Sequence, residues 1–288
     1  MLIALLWCCA LSQGPAVVLT TVKLADDLFL ITGSAAGNVL VATGTDATLL
    51  VDAQDPRHLD QARELVERVA RSKIRFVVNT HFHEDHRGLN QVLAERGAVI
   101  VAHERTRRSM AISSDVPALE WHRQAAPHGA WPTLTFTSGL TLHVNDEVVE
   151  VIHLPAAHTD GDAVVRLRHH DVIHTGDIYE IGAYPFIDVW SGGSIDGMIA
   201  AVDRLLEWCG ASTRLVPGHG PVSSKPELQA YRDMLVTIRD RVQHAIDEGR
   251  TLDELLVTRP TQEFDRARGG AAGGARLVRI LYQELSER

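Results

Sequence analysis

The sequence is poor in cysteine and in basic residues, and it has no long apolar run at its start. Two of its three cysteines, Cys8 and Cys9, stand in the first apolar segment, so we expect no disulfide framework downstream. The formal net charge of −9 argues against a nucleic-acid partner, which needs a clustered basic face. The chain also lacks a G-x-S-x-G motif, which excludes the nucleophile elbow of serine hydrolases.

The first apolar segment, Leu2–Leu11, favours a secretory signal peptide within residues 1–14, with small residues at Ala10 and Ser12. It is too short to span a bilayer, so we expect no stable membrane insertion. Because no Lys or Arg precedes it, a wrongly chosen start site or a buried first strand stays open. We expect an exported, periplasmic protein whose remaining cysteine is Cys209.

Histidine is abundant, and its densest cluster organises the chain. Of the fifteen histidines, three stand with an aspartate in the stretch His81-Phe82-His83-Glu84-Asp85-His86. The apolar run 74–78 before it predicts a buried strand, and a helix is predicted from residue 89. These residues therefore lie at the C-terminal end of a strand, where open α/β sheets place their sites. The H-x-H-x-D-H spacing favours a metal site over a surface loop. It predicts one metal, or two if the rest of the chain supplies partners.

Strand-like and helical patterns follow each other along the rest of the chain and predict a layered α/β fold. The predicted strands are 17–22, 28–32, 38–42, 48–51, 74–78, 98–102, 134–136, 140–144, 148–154, 163–167, 172–174 and 214–216. The predicted helices are 56–70, 89–97, 104–112, 196–208, 226–249, 252–257 and 277–285. Residues 113–132 predict a long surface loop, and 269–274 a flexible glycine-rich segment. We expect a domain at 15–225 with a helical extension, 226–288, packed on it.

Three further predicted strands are followed by ligand-type residues. His158 follows strand 148–154, Asp177 follows 172–174, and His219 follows 214–216. Each alone is weak evidence, because a single His beside Gly or Pro is more often a turn residue. Together with the first loop they give five histidines and two aspartates at strand ends, a set that we interpret as one metal site.

As a set, these motifs resemble the metallo-β-lactamase superfamily, from about Val17 to Val222. The resemblance implies an αββα sandwich, here with extra C-terminal helices, and a site at one edge between its sheets. It implies that Asp177 bridges two metals, and that Asp52 supports the metal loop without binding metal. The other implied ligands are His81, His83 and His158 for the first metal, and Asp85, His86 and His219 for the second.

The sequence departs from dedicated β-lactamases at Asp177, where those of the Cys-containing dinuclear type have cysteine. An aspartate bridge is similar to the glyoxalase II-like and lactonase-like branches. The stretch 176–194 also resembles an often exported branch associated with sulfur-oxidation and quinoprotein systems. The resemblance therefore leaves ester, lactone, thioester and β-lactam open as small-molecule substrates.

Imidazole and carboxylate ligands suit zinc, and also iron or manganese. Redox members of the superfamily carry Glu at the second ligand position, where this chain has His83, which favours hydrolysis. We expect a hydrolase with two Zn²⁺ ions, in which Asp85 holds a metal-bridging hydroxide in line with a small acyl substrate. Two alternatives stay open: a β-lactamase proper, and a non-hydrolytic mononuclear iron oxygenase or metal-binding protein. A nuclease would need a basic arm, which the acidic chain does not offer. The oligomeric state is not predicted.

Overall fold

Two β-sheets pack face to face, and helices cover both outer faces. The computed structural model describes residues 17–33, 36–116 and 121–288. Its strands are β1 (Thr20–Ala25), β2 (Leu28–Thr32), β3 (Val39–Thr43), β4 (Thr48–Val51), β5 (Ile74–Val78), β6 (Val99–His103), β7 (Ser114–Val116), β8 (Trp121–Arg123), β9 (Leu134–Phe136), β10 (Gly139–Val144), β11 (Glu147–His153), β12 (Ala163–Leu167), β13 (Val172–Glu180) and β14 (Arg214–His219). Its helices are α1 (Leu59–Val69), α2 (Asn90–Glu95), α3 (Glu104–Met110), α4 (Ile195–Trp208), α5 (Lys225–Asp247), α6 (Leu252–Val257) and α7 (Ala271–Ser286).

The first sheet has the strand order β1-β2-β3-β4-β5-β6-β9 and the second the order β10-β11-β12-β13-β14. The pairs from β4 to β9 are parallel, and so is the pair β13–β14. Every other neighbouring pair of these two sheets is antiparallel. The parallel strands β4, β5 and β14 end at the same edge of the sandwich, so the loops that follow them can meet there.

Strand alternation explains the layers, because successive side chains point to opposite faces of a sheet. In β4, Leu49 and Val51 lie in the apolar core between the sheets, whereas Leu50 packs on the outer face. There it joins Ala62 and Val66, the buried residues of α1. The outer face of the second sheet packs with α4, α5 and α7 in one apolar cluster. The predicted αββα sandwich with extra C-terminal helices is therefore confirmed.

Strand β13 differs most from its prediction. It was expected to end at His174 but continues to Glu180, so Asp177 lies inside the strand rather than after it. Gly176, with a φ of 53°, shifts the register against β14 without ending the strand. A glycine that signals a strand end in the sequence is here a bulge.

Two segments predicted to be irregular have structure of their own. The predicted loop 113–132 contains the hairpin of β7 and β8 and a 3₁₀ turn at His128–Ala130. The predicted flexible segment 269–274 overlaps the start of α7, where Gly274 is buried. A Cβ at Gly274 would overlap the hydroxyl of Thr261, so close packing rather than flexibility explains this glycine.

The C-terminal helices begin with a strong local signal at α5. The side chain of Glu227 accepts a hydrogen bond from the Ser224 N–H at 3.0 Å, as in a capping box. No helix in the described ranges combines the length and apolarity needed to cross a membrane. The predicted signal segment 1–14 lies outside the described residues, so it and the exported location stay predictions. The division into 15–225 and 226–288 also stays a prediction.

Candidate metal centre

The seven side chains predicted as metal ligands meet at one edge of the two sheets. They form two groups, and within each group one ligand atom per residue lies within 4.8 Å of the others. The first group is His81, His83, His158 and Asp177, and the second is Asp85, His86 and His219. The two loops and two strands that carry them meet at one cleft of about 1230 Å³, which is lined by His83, Asp85, Asp177 and His219 among other residues.

The distances between these atoms suit two ions that share Asp177. Its Oδ2 lies 3.8 Å from the Nε2 atoms of both His81 and His158, and its Oδ1 lies 3.3 Å from His86 Nε2. In the second group, His219 Nε2 lies 3.1 Å from Asp85 Oδ2. Tetrahedral zinc, with bonds of ~2.0–2.1 Å to N and O, sets its ligand atoms about 3.3 Å apart. The observed spacing brackets that value.

In the first group, two imidazole lone pairs face each other. His158 Nδ1 donates to the Phe186 carbonyl at 2.6 Å, which leaves Nε2 of the neutral ring without a proton. His83 Nε2 contacts Asp188 Oδ2 at 3.2 Å, which in the same way leaves His83 Nδ1 as an acceptor. These two acceptor nitrogens lie 2.9 Å apart. Such an arrangement is repulsive unless a cation lies between them, so the group fits a metal ion.

Asp52 fixes the proton positions on two further histidines of these groups. Its Oδ2 accepts from His86 Nδ1 at 2.8 Å and from the Thr80 hydroxyl at 2.8 Å. Because the Thr80 proton is used there, Thr80 Oγ1 accepts from His81 Nδ1 at 3.1 Å. With Nδ1 of both rings engaged in this way, the Nε2 atoms of His81 and His86 face the centre. Both are buried and without a hydrogen-bond partner in the described ranges, and so is Asp177 Oδ1. Buried polar atoms in this arrangement fit a bound cation.

The loop that carries Asp52 is tied to the histidine loop by its backbone. Asp52 and Gln54 have φ values of 62° and 61°, a strained conformation for non-glycine residues. In return, Ala53 N–H donates to the His86 carbonyl at 2.9 Å, and Gly88 N–H donates to the Gln54 carbonyl at 2.6 Å. These contacts stabilise the strained backbone and set the position of the loop that carries His81, His83 and His86.

The strand that carries His219 is held equally closely. Asn38 Nδ2 donates to the carbonyls of Pro217 and Gly220, each at 2.8 Å. A Cβ at Gly218 would overlap Asp177 Oδ1, so only glycine leaves room for the carboxylate shared by both groups. The glycine that precedes His219 is thus part of the centre's geometry.

The two groups differ in protonation when no metal is bound. Burial holds the pKa of His81 well below its usual value and lowers that of His158 to about 4, so both rings are neutral. In the second group burial opposes protonation, but Asp177 outweighs it, raising the pKa of His219 to about 11 and that of His86 well above its usual value. An ion binding to the second group must therefore displace protons.

Four residues that support the candidate ligands or line the cleft were not identified from the sequence. Asp188 and Thr80 position histidines, and both are buried. Glu180 and Arg276 line the cleft beside the ligands. Burial, and then the charge of Asp177, raises the pKa of Glu180 to about 8. Asp188 and Glu180 follow Asp177 in the chain and could have been noticed as acids near a ligand, but Arg276 carries no local signal.

The family is decided by a match that includes the whole ligand set. A family model described as the metallo-β-lactamase superfamily matches residues 29–219, which is more than half of the chain. The chain belongs to the metallo-β-lactamase superfamily. Its members are generally metal-dependent hydrolases, and the clustered His and Asp residues can hold metal. The superfamily predicted from the motifs is confirmed, while the branch associated with sulfur oxidation stays a prediction.

Individual members of the superfamily are distant relatives. The metallo-β-lactamase type 2 of Bacillus cereus is 24% identical over 199 residues, which cover 69% of this chain and 72% of the relative. A metallo-β-lactamase from Pontibacter korlensis superposes with a TM-score of 0.62 at 17% identity, covering 76% of this chain and 99% of its own. The DIM-1 metallo-β-lactamase gives 0.60 at 18% identity, covering 77% and 99%. At such low identities these two structures show the shared fold alone.

Proposed function

We propose that this protein is a dinuclear zinc hydrolase that cleaves a small acyl substrate, which is an ester, lactone, thioester or β-lactam. The observation that carries the proposal is the pair of ligand groups sharing the Asp177 carboxylate. Three buried atoms in these groups lack a hydrogen-bond partner among the described residues, and two further acceptor nitrogens face each other. Bound metal ions would satisfy all five.

His81, His83 and His158 would hold the first ion and Asp85, His86 and His219 the second, with Asp177 between them. Two zinc ions there would lower the pKa of a shared water towards ~7 and polarise the substrate carbonyl. Iron or manganese would fit the same donor types.

The protein supplies orientation rather than a nucleophile of its own. Asp85 lines the cleft, and its side chain is 31% exposed there, more than any other acidic ligand. It therefore accepts a hydrogen bond from the attacking water and directs it at the carbonyl. Asp52 and Asp188 act behind the ligands by fixing which nitrogen of each histidine faces the centre.

The shared aspartate also bears on the substrate. A bridging carboxylate neutralises part of the charge of two zinc ions and makes them weaker Lewis acids. Thiolates and lactone or ester oxygens leave with less help than an amide nitrogen, and strained β-lactams lie between the two. We therefore expect ester, lactone or thioester turnover to exceed β-lactam turnover.

The test combines metal content with a substrate panel. Two zinc ions per chain and turnover of a homoserine lactone or a glutathione thioester above that of a cephalosporin would support the proposal. One iron per chain would contradict the dinuclear hydrolase. If only the cephalosporin is turned over, at the ~10⁴–10⁸ M⁻¹s⁻¹ of evolved enzymes, the inference from Asp177 is wrong and the protein is a β-lactamase proper.

A further inference from the structure

The cleft beside the metal centre carries charges that metal binding does not use. Two of its acids, Asp85 and Asp177, belong to the ligand groups. A third, Asp55, holds Arg57 through contacts of 2.6–3.1 Å to the guanidinium, so both of these charges are compensated.

A fourth acid, Glu84, lies at the exposed rim and pairs with Arg87 at 3.4 Å. Once these pairs and the ligands are set aside, one acid and one arginine of the cleft lining remain: Glu180 and Arg276. In the part of the chain that the structure describes, neither side chain makes a hydrogen bond or an ion pair, and they do not pair with each other within 4.0 Å.

Glu180 is the more informative of the two, because it is only 8% exposed. It ends β13 and is the register partner of His219 on β14, which places it beside the metal ligands. Its backbone carbonyl accepts a hydrogen bond from Arg268 at 2.9 Å. A buried carboxyl group without a hydrogen-bond partner is costly whether it is neutral or charged, and a cation beside it favours the charged form. Since Glu180 lines the cleft, a group entering the cleft can supply that partner.

Arg276 approaches the same cleft from α7. Its guanidinium carbon lies 5.9 Å from the ring centroid of Phe186. That ring in turn lies 6.0 Å and 5.9 Å from the rings of His83 and His158. The arginine is therefore one aromatic ring away from the first ligand group, at the mouth of the cleft. Its fork of N–H donors suits a carboxylate.

We infer that the substrate carries both an ammonium group, which Glu180 binds, and a carboxylate, which Arg276 binds. This inference rests on the proposed function and narrows its substrate class to zwitterionic acyl compounds, such as derivatives of amino acids or short peptides. The buried acid and the arginine at the mouth then determine specificity, while the reaction is left to the metal ligands.

Matched penicillins test this, because ampicillin and benzylpenicillin differ by one ammonium group. Each hydrolysed product carries two carboxylates, one from the opened ring and one on the thiazolidine, and a methyl ester removes the thiazolidine one. Their hydrolysed products make the test independent of turnover, and calorimetry with zinc-loaded protein gives their dissociation constants. We expect hydrolysed ampicillin to bind ~10–100-fold more tightly than hydrolysed benzylpenicillin, as for a hydrogen bond between charged groups. Methyl esterification of the thiazolidine carboxylate should weaken the binding of both products.

Two variants, each with a matched control, assign the ammonium and carboxylate effects to single residues. Glu180→Gln should abolish the preference for the ammonium compound, whereas Glu84→Gln, which removes the same charge from the rim, should keep it. Arg276→Gln should abolish the cost of esterification, and Arg279→Gln, one turn further along α7, should not. Zinc content and thermal melting of each variant report whether the centre and the fold are intact.

Equal binding of the two penicillin products, binding of neither, or a preference that survives Glu180→Gln would overturn the inference. A higher affinity of Arg276→Gln for hydrolysed ampicillin would also overturn it, because this would mean that Arg276 pairs with Glu180 in solution. These failures are separable from failure of the proposed function. If the protein binds two zinc ions and turns over the substrate panel, but binds both penicillin products equally, only the inference about Glu180 and Arg276 is wrong and the proposed function stands.

Discussion

The role of Asp52 leads to a prediction about Asp52→Asn that a purely structural role does not make. Asn can keep its oxygen on the Thr80 N–H, which Asp52 Oδ1 accepts at 2.7 Å. Its amide nitrogen then takes the place of Oδ2 and donates to His86 Nδ1 and to Thr80 Oγ1. The opposite flip would set two N–H groups against each other at Thr80. The donation to His86 Nδ1 and the donation to Thr80 Oγ1 each move a proton onto the Nε2 atom of a histidine, which must be unprotonated to bind metal.

At His86 the consequence is direct, because a ring that accepts at Nδ1 carries its proton on Nε2. At His81 it passes through Thr80, whose hydroxyl proton is released from residue 52 and turns towards His81 Nδ1. We expect zinc affinity to fall by ~10–100-fold at each ion, the usual effect of losing an orienting partner. Asp52→Ala should reduce affinity less, because it removes the acceptor without imposing the wrong tautomer.

Stability should show the reverse order. Asp52→Ala leaves the buried Thr80 N–H and His86 Nδ1–H without acceptors, at roughly 1–3 kcal/mol each, whereas Asn keeps the first of them satisfied. Zinc affinity is measured by competition with a chromogenic chelator, and stability by urea unfolding of the metal-free protein. Asp203→Asn, at a half-exposed aspartate paired with Arg232 at 2.8 Å, is the matched control. Affinity in Asp52→Asn within twofold of wild type, or Ala weakening zinc more than Asn, would refute the tautomer argument.

Three further predictions concern the ligands. His83→Ala removes a ligand, so activity should be lost and zinc content should fall; unchanged stoichiometry by elemental analysis would contradict the assignment. Asp188→Ala removes the partner of His83 and should lower zinc affinity ~10–100-fold without abolishing binding, whereas complete metal loss would make Asp188 more than a support. Acidification from pH 7.5 to 5.5 should release the second ion first. The raised pKa values of His86 and His219 mean that protons already compete there, at ~10-fold in affinity per pH unit for each proton displaced, while His158, with a pKa of about 4, stays neutral. Metal content after dialysis at each pH checks this, and simultaneous loss of both ions would be inconsistent with it.

The sequence predicted the layers and the ligand cluster because their signals are local. The residues from His81 to His86 stand together, and each remaining ligand follows an apolar run. The sheets could be predicted because strands such as 48–51 are continuous apolar runs. The predicted end of β13 was wrong, because Gly176 is compatible with both a bulge and a strand end. Only pairing with β14 decides between them.

The residues that support the ligands could not be found in this way. Thr80 acts because its hydroxyl is already engaged by Asp52, which depends on two strands lying side by side. Asp188 reaches His83 across 105 residues, and Arg276 reaches the cleft only because α7 packs beside the second sheet. No spacing in the sequence carries these relations. They arise from tertiary packing.

The crowding at Gly218 has a consequence for how this protein can change over evolutionary time. Any side chain at that position would displace the carboxylate shared by both ligand groups. Single substitutions at Gly218 would therefore disturb the centre, and we expect selection to keep glycine at this position. Arg276 at the rim of the cleft is exposed, so a different side chain there does not crowd this carboxylate. On the proposed function, we expect descendants of this chain to change substrate by substitutions at the rim while the metal centre stays the same.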